Sequence, residues 1–205
     1  GTLTSPVIAG GRVVVADKDA HRVHALDAET GKPSWTFTAD SRIDSAPTID
    51  RGRVLFGSAD GKVYCLRLAD GELIWSFHAA PGDRQVVAHG QLESVWPIPG
   101  SILAMDDAIY FPVGRNSYMD GGMALYKLDS ATGKQLKKVV LTVGKKQRDG
   151  GYTGKGHLPD LLTSNGDSIF MRTSRFSPDL KQQKENVPHL FSSVGFVDDN
   201  WWHRT

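Results

Sequence analysis

The segment "VHALDAETGKPSW", residues 23 to 35, returns forty residues later as "VYCLRLADGELIW". Leu66, Gly71 and Trp75 each follow Leu26, Gly31 and Trp35 by 40 positions. A third copy, "LYKLDSATGKQLK", sets Leu128, Asp129, Thr132, Gly133 and Lys134 at 102 positions after Leu26, Asp27, Thr30, Gly31 and Lys32. A turn that recurs in register requires a chain that builds one supersecondary unit several times, and the unit must be found before anything else is read.

The first copy, "SPVIAGGRVVVADKDAHRVHALDAETGKPSWTFTA", divides into four short apolar runs. Pro6, Val7 and Ile8 form an inner strand, with proline before the first ladder N–H. Gly10 and Gly11 turn the chain into Val13, Val14 and Val15, apolar on both faces as in a strand covered on both sides. Val23 to Leu26 follows, and the turn from Asp27 to Lys32 leads into Trp35, Thr36 and Phe37. Asp27 is suited to accept backbone N–H bonds in that turn. The second copy aligns throughout, with Trp75, Ser76 and Phe77 in place of Trp35, Thr36 and Phe37. Four short strands per unit of about 40 residues is the arithmetic of a propeller blade. Helical repeats and immunoglobulin-like sandwiches do not supply the same turn three times in register.

The expected fold is therefore all-β, a propeller of four-stranded antiparallel blades. About four blades are read, over residues 2–40, 41–80, 94–142 and 157–205. Insertions fall at 79–93, 114–122 and 144–157. The third copy carries Lys137 where Trp35 and Trp75 stand. Insertions mark where function is placed, because loops carry chemistry while strands carry the fold. Four blades leave two sheet flanks uncovered unless the ring closes. The expectation is thus further blades in a longer ring of seven or eight, pairing between copies, or a small closed ring.

Composition narrows the partners. Lys and Arg number 24 against 23 Asp and Glu. That balance gives no electrostatic footprint for nucleic acid. No apolar run approaches the ~18 residues of a membrane span. Cys65 is the sole cysteine and sits in an alternating strand as a small core residue, which rules out an internal disulfide. No basic-then-apolar signal segment opens the sequence, and both ends read as cut from a longer polypeptide.

"ALDAETGKPSW" resembles the tryptophan-docking motif of quinoprotein-type propellers, with Ala25, Asp27, Thr30, Gly31, Lys32 and Trp35 all matching. The second copy keeps Gly71 and Trp75; the third keeps Asp129, Thr132, Gly133 and Lys134. The likeness covers roughly residues 2 to 140, and it implies a tryptophan packed against the next blade. "VGRNSYMDGGMALYKLDSATGK", "LPDLLTSNGDSIFMR" and "HLFSSVGFVDDNWWHRT" resemble the PQQ-like propeller regions of large planctomycete-type bacterial proteins. The resemblance implies a periplasmic or cell-envelope location. It also raises PQQ and Ca²⁺ as cofactors, although PQQ dehydrogenases carry eight blades and an adjacent-cysteine disulfide that this chain lacks.

Two stretches are candidate ligand contacts. In "GRNSYMDGG", Arg115, Ser117, Tyr118 and Asp120 lie on an extended loop between glycines, opposed by the reading of a loop bonded to itself and a neighbouring blade. In "DDNWWHRT", Trp201 or Trp202 is suited to stack on a flat or sugar-like ligand, with Asp199, His203 and Arg204 around it. A tryptophan wedged between blades competes with that reading. Asp198, Asp199 and Asn200 offer oxygen ligands for Ca²⁺, but neighbouring strand residues face opposite ways, and a solvated turn is the stronger reading. The seven histidines show no HxH or HxxxH pair, so zinc spacing is absent. "FSSVG" lacks the GxSxG form of a nucleophile elbow, and "GKKQRDGGYTGKG" lacks the spacing of a phosphate loop.

The function expected is a non-catalytic ligand-binding or protein-interaction scaffold, with no catalytic residue named. A PQQ- and Ca²⁺-dependent dehydrogenase and a carbohydrate-binding propeller are the rivals. The expected partners are the remaining blades of the parent chain, other envelope proteins or a small ligand.

Overall fold

A computed structural model describes residues 1–143, 156–172 and 174–183. Its described residues form strands and turns without a helix. The first blade is the antiparallel meander β1 (Val7–Ala9), β2 (Arg12–Asp17), β3 (Arg22–Asp27) and β4 (Pro33–Thr38). The second is β5 (Thr48–Asp50), β6 (Arg53–Gly57), β7 (Lys62–Arg67) and β8 (Leu73–His78). A separate two-stranded ribbon follows, β9 (Gln85–Ala88) with β10 (Gln91–Ser94), inside a stretch the sequence marked only as an insertion. The third blade is β11 (Leu103–Met105), β12 (Ala108–Val113), β13 (Met123–Asp129) and β14 (Gln135–Leu141). A fourth sheet shows three described strands, β15 (Leu162–Ser164), β16 (Ile169–Met171) and β17 (Ser174–Phe176).

The repeated turn has one geometry and two chemistries. Asp27 Oδ1 accepts from the Thr30 amide at 2.9 Å and the Thr30 hydroxyl at 2.8 Å, and Asp129 does the same with Thr132 at 2.8 and 2.7 Å. These donors hold both carboxyls below the usual aspartate value. The second copy has Arg67 at this place, which pairs instead with Asp70 and Glu72. The backbone closure survives the exchange: Gly31, Gly71 and Gly133 each donate to the carbonyl four residues earlier, at 2.8–2.9 Å. A one-residue irregularity then falls at the same place in all three blades, between Ala25 and Leu26, Cys65 and Leu66, and Lys127 and Leu128.

Consecutive blades meet across dry cores. Val14, Val23 and Ala25 of the first blade pack on Val54, Phe56, Tyr64 and Leu66 of the second, whose other face brings Leu55, Val63 and Cys65 to Ile109, Phe111 and Tyr126. Phe56 and Tyr64 stack at 5.2 Å with Phe37 edge-on, and Phe111 and Tyr126 stack at 5.6 Å with Phe77 edge-on. Each such aromatic pair adds roughly 0.5–1.5 kcal/mol beyond its buried area. The third core joins Tyr110, Met123 and Leu125 to Ile169, Met171 and Phe176.

Trp35 and Trp75 stand in equivalent surroundings, each paired in register with a buried β3 or β7 residue, Ala25 or Cys65. Each indole lies over the turn glycine of the following blade, Gly71 or Gly133. Lys137 holds the corresponding register on β14, opposite Lys127. The first blade departs from the reading of a strand covered on both faces. Val14 is buried, but Val13 and Val15 are only half-covered, because no described sheet packs on that side.

The meander sorts its connections to two ends. The short turns at one end are tied together by Ala28, Leu68 and Ser130 amides bonding to Gly11, Gly52 and Asp107 carbonyls. The opposite end carries the β2–β3, β6–β7 and β12–β13 links and every blade-to-blade connection. All three insertions therefore emerge on one side of the molecule.

Candidate functional site

At the insertion-bearing end, β10 carries Glu93 inward, only 3% exposed. Its carboxylate lies between two guanidinium groups. Arg115 Nη2 donates to Glu93 Oε2 at 3.0 Å, and Arg42 Nη2 lies 3.4 Å from Oε1 and 3.0 Å from Asp44 Oδ1. A buried carboxylate needs such compensation, since an unpaired charge there is strongly disfavoured. The four charges balance, and they tie the link after β4, the ribbon and the β12–β13 loop into one body.

A second set surrounds Trp96. Its Nε1 donates to the Asp120 carbonyl at 2.8 Å, the Arg84 guanidinium sits 5.4 Å from its ring centre, and Arg84 pairs with the Asp120 carboxylate. Beneath lies a cavity of about 260 Å³ bordered by Pro81, Trp96, Val113, Met123, Tyr126 and Lys138. Its walls are mainly apolar, and Lys138 Nζ stands 5.0 Å above the Tyr126 ring at its border.

The ribbon arches back over the first blade. His21 Nε2 meets Gln91 Oε1 at 2.6 Å, Gln91 donates to the Asp19 carbonyl at 3.1 Å, and Ser41 donates to the Leu92 carbonyl at 3.2 Å. Its outward face is apolar: Val87 and Leu92 are direct cross-strand partners, 77% and 61% exposed. Val86, Tyr118, Met119 and Leu161, all on the same end, are exposed as well.

This architecture can be compared with known proteins. A family model described as outer membrane protein assembly factor BamB, the PQQ_2 model, matches residues 1–172. The chain belongs to the PQQ_2 family. It is 30% identical over 124 residues to the quinohemoprotein alcohol dehydrogenase ADH IIB of Pseudomonas putida, covering 50% of this chain and 18% of that enzyme. It is 25% identical over 113 residues to the outer membrane protein assembly factor BamB of Yersinia pestis, covering 53% of this chain and 28% of that protein. The quinohemoprotein alcohol dehydrogenase of Comamonas testosteroni shares the fold at a TM-score of 0.69 and 15% identity, over 92% of this chain and 35% of that one. The PQQ_2 chain spans 12% to 28% of the length of the curated relatives it matches.

The PQQ_2 chain gathers Arg115, Ser117, Tyr118 and Asp120 on one loop and commits much of their polar chemistry to neighbours. Arg115 is held by Glu93 and Asp120 by Arg84. Ser117 exchanges bonds with His157: its Oγ accepts the His157 amide at 2.6 Å, and its own amide donates to the His157 carbonyl at 3.0 Å. Asn116 Oδ1 accepts from the Tyr118 and Met119 amides at 2.9 Å each. Asp199, Trp201, Trp202, His203 and Arg204 lie outside the described residues, as do Asp198 and Asn200.

Sequence reasoning missed Glu93, Arg42, Arg84 and Trp96. The signal available was "ESVW", a carboxylate and an indole at the foot of an insertion. It also missed a polar group at the foot of the β6–β7 link. There Tyr64 donates to Asp60 at 2.5 Å, and Lys62 pairs with Asp40 at 2.5 Å. Burial pushes the Asp60 carboxyl and the Tyr64 phenol up, while its bond to Lys62 draws Asp40 down.

Proposed function

We propose that this chain is a non-catalytic interaction scaffold of the cell envelope, whose insertion-bearing end recruits a protein partner through the β9–β10 ribbon. One observation carries the reading: Val87 and Leu92 form an exposed apolar cross-strand pair on a ribbon that the Glu93 network fastens to the blades. Among the described residues β9 pairs only with β10, so its outer edge retains ladder groups to which an extended segment can add. Membership in a family described by an outer membrane assembly factor supports both location and partner class. Among the described residues no helix is long and apolar enough to cross a membrane.

The quinoprotein relatives favour a second reading, a PQQ-dependent dehydrogenase. The described residues at this end do not fit that cofactor. A quinone bearing several carboxylates needs cations free to meet it, whereas Arg42, Arg115 and Arg84 already face Asp44, Glu93 and Asp120. No step is therefore built on it. A small ligand in the cavity beside Trp96 is the remaining alternative, with an apolar body against Met123 and Tyr126 and an anionic group toward Lys138.

A photo-crosslinking residue at position 87 tests the scaffold. Envelope extracts should yield one discrete adduct, lost on Leu92→Asp and retained on Leu136→Asp of β14. Absence of a Leu92-dependent adduct overturns the ribbon as the docking element. Dye-linked alcohol oxidation after titration with PQQ and Ca²⁺ overturns the non-catalytic reading.

A further inference from the structure

The three copies of the repeated turn do not have the same surroundings. A Cβ built on Gly71 falls 2.6 Å from the Trp35 ring, and one on Gly133 falls 2.7 Å from the Trp75 ring. Around Gly31, which has a closely similar backbone (φ 67° against 76° and 70°), nothing lies within 4 Å. The matching acceptor is also in place. Trp35 Nε1 donates to the carbonyl of Leu68, three residues before Gly71, and Ala28 holds that position in the first blade.

The sheet flank beside this turn repeats the pattern. Ile49, Val54, Phe56 and Leu66 are the residues with which the second blade meets the first. By alignment of the repeats, Ile8, Val13, Val15 and Leu26 stand at those positions in the first blade. Here Ile8 is 70% exposed, and Val13, Val15 and Leu26 are half-buried. The third blade presents Ile109, Phe111 and Leu128 at the same positions to the second. Two faces of this design are each covered by a neighbouring blade, and the third is built to the same plan.

We propose that the flank formed by Ile8, Val13, Val15 and Leu26 docks a further blade of this repeat within the same parent polypeptide, and that the Ala28–Lys32 turn seats its tryptophan. The chemistry that fits is specific. An indole covers the Gly31 Cα where any β-carbon narrows the gap, its N–H reaches the Ala28 carbonyl, and apolar residues of its sheet close on Ile8 and Val15. The spacing in this chain puts the required tryptophan four residues after its own turn glycine, as Trp35 follows Gly31 and Trp75 follows Gly71. The opposite sign of partner, a charged surface, is disfavoured by four aliphatic positions in one flank. This surface is separate from the β9–β10 ribbon, and its assignment does not depend on the proposed function.

Two substitutions in the full-length parent protein and in the 205-residue chain test the docking. Asparagine tolerates positive φ, so Gly31→Asn places a side chain in the seat with little backbone strain. Ile8→Asp puts a charge into the flank. Each should lower the full-length thermal midpoint by about 4 °C or more and leave the 205-residue chain unmoved within error. The flank should also be protected from trypsin at Arg12 and Arg22 only in the full-length protein. Equal shifts in both proteins, or no shift in the full-length one, overturn the assignment. If the 205-residue chain is a dimer in light scattering that Ile8→Asp dissolves, the occupant is a second copy, and the proposed blade is wrong.

Discussion

The Trp35 indole fills the space in which a Cβ on Gly71 would sit, 2.6 Å from its nearest ring carbon. Glycine at 71 therefore answers two demands, a positive φ and a missing side chain. Gly71→Ala should lose about 1 kcal/mol to backbone strain and a further 1–3 kcal/mol to overlap with a well-packed ring. Gly133→Ala, beneath Trp75, should match it. Gly31→Ala in the 205-residue chain should cost only the backbone part. Urea denaturation of the three variants checks the order, and equal losses would remove the ring from the explanation.

The two indoles differ in one atom's partner. Trp35 Nε1 donates to the Leu68 carbonyl at 2.9 Å, whereas Trp75 Nε1 is buried without an acceptor. Replacing the first by phenylalanine strands a carbonyl; replacing the second removes an unsatisfied donor. A net hydrogen bond contributes about 0.5–1.5 kcal/mol, so Trp35→Phe should be the costlier substitution by roughly that amount. Paired denaturation curves decide, and the reverse order would refute the bonding asymmetry.

Much of this fold can be read from the chain because the repeat is short-range. Turn aspartates, turn glycines and alternating apolar positions act within about 15 residues, and the same register recurs in all three blades. The second copy shows the limit of motif reading, since Arg67 replaces the aspartate and the turn closes regardless through its backbone. The site was less legible for the same reason. Glu93 is meaningful only beside Arg42 and Arg115, which lie 51 and 22 residues away. The ribbon was missed because "RQVVAHGQLES" alternates weakly and ends in charge, while its pairing with the first blade runs through His21 and Gln91, 70 residues apart.

Glu93 neutralises two guanidiniums and is itself almost fully enclosed. Removing it leaves Arg42, buried at the foot of the ribbon, without its larger counter-charge. Glu93→Ala should therefore destabilise by about 3–5 kcal/mol, the range for breaking a buried pair from one side. Arg115→Ala should cost less, because Arg115 is a third exposed and Glu93 retains Arg42. Thermal melts of both variants check the asymmetry.

Cys65 is fully buried between the second and third blades, and burial pushes its thiol up to about 12. The thiolate is the reactive form, so a disulfide reagent at pH 8 should label the folded chain only as fast as these blades separate. Labelling should accelerate in parallel with urea unfolding. Rapid stoichiometric labelling in native buffer would show that the second core opens on its own.

His157 links the third and fourth sheets: its backbone bonds to Ser117 and its Nδ1 lies 3.2 Å from Ser174 Oγ. Burial lowers its imidazole below the ordinary value of 6.5. The folded protein thus prefers the neutral ring more strongly than the unfolded chain does. Between the two values the unfolded state binds more protons, so the stabilisation is complete above 6.5 and declines as pH falls through the lower folded value. His157→Gln keeps a polar side chain and the backbone bonds but cannot titrate. Its thermal midpoint should therefore fall less than the wild type's between pH 7 and pH 5, with the two profiles parallel above pH 7. Superimposable slopes across the acid range would mean that His157 carries no linkage, and that the contact between these sheets is held by its backbone alone.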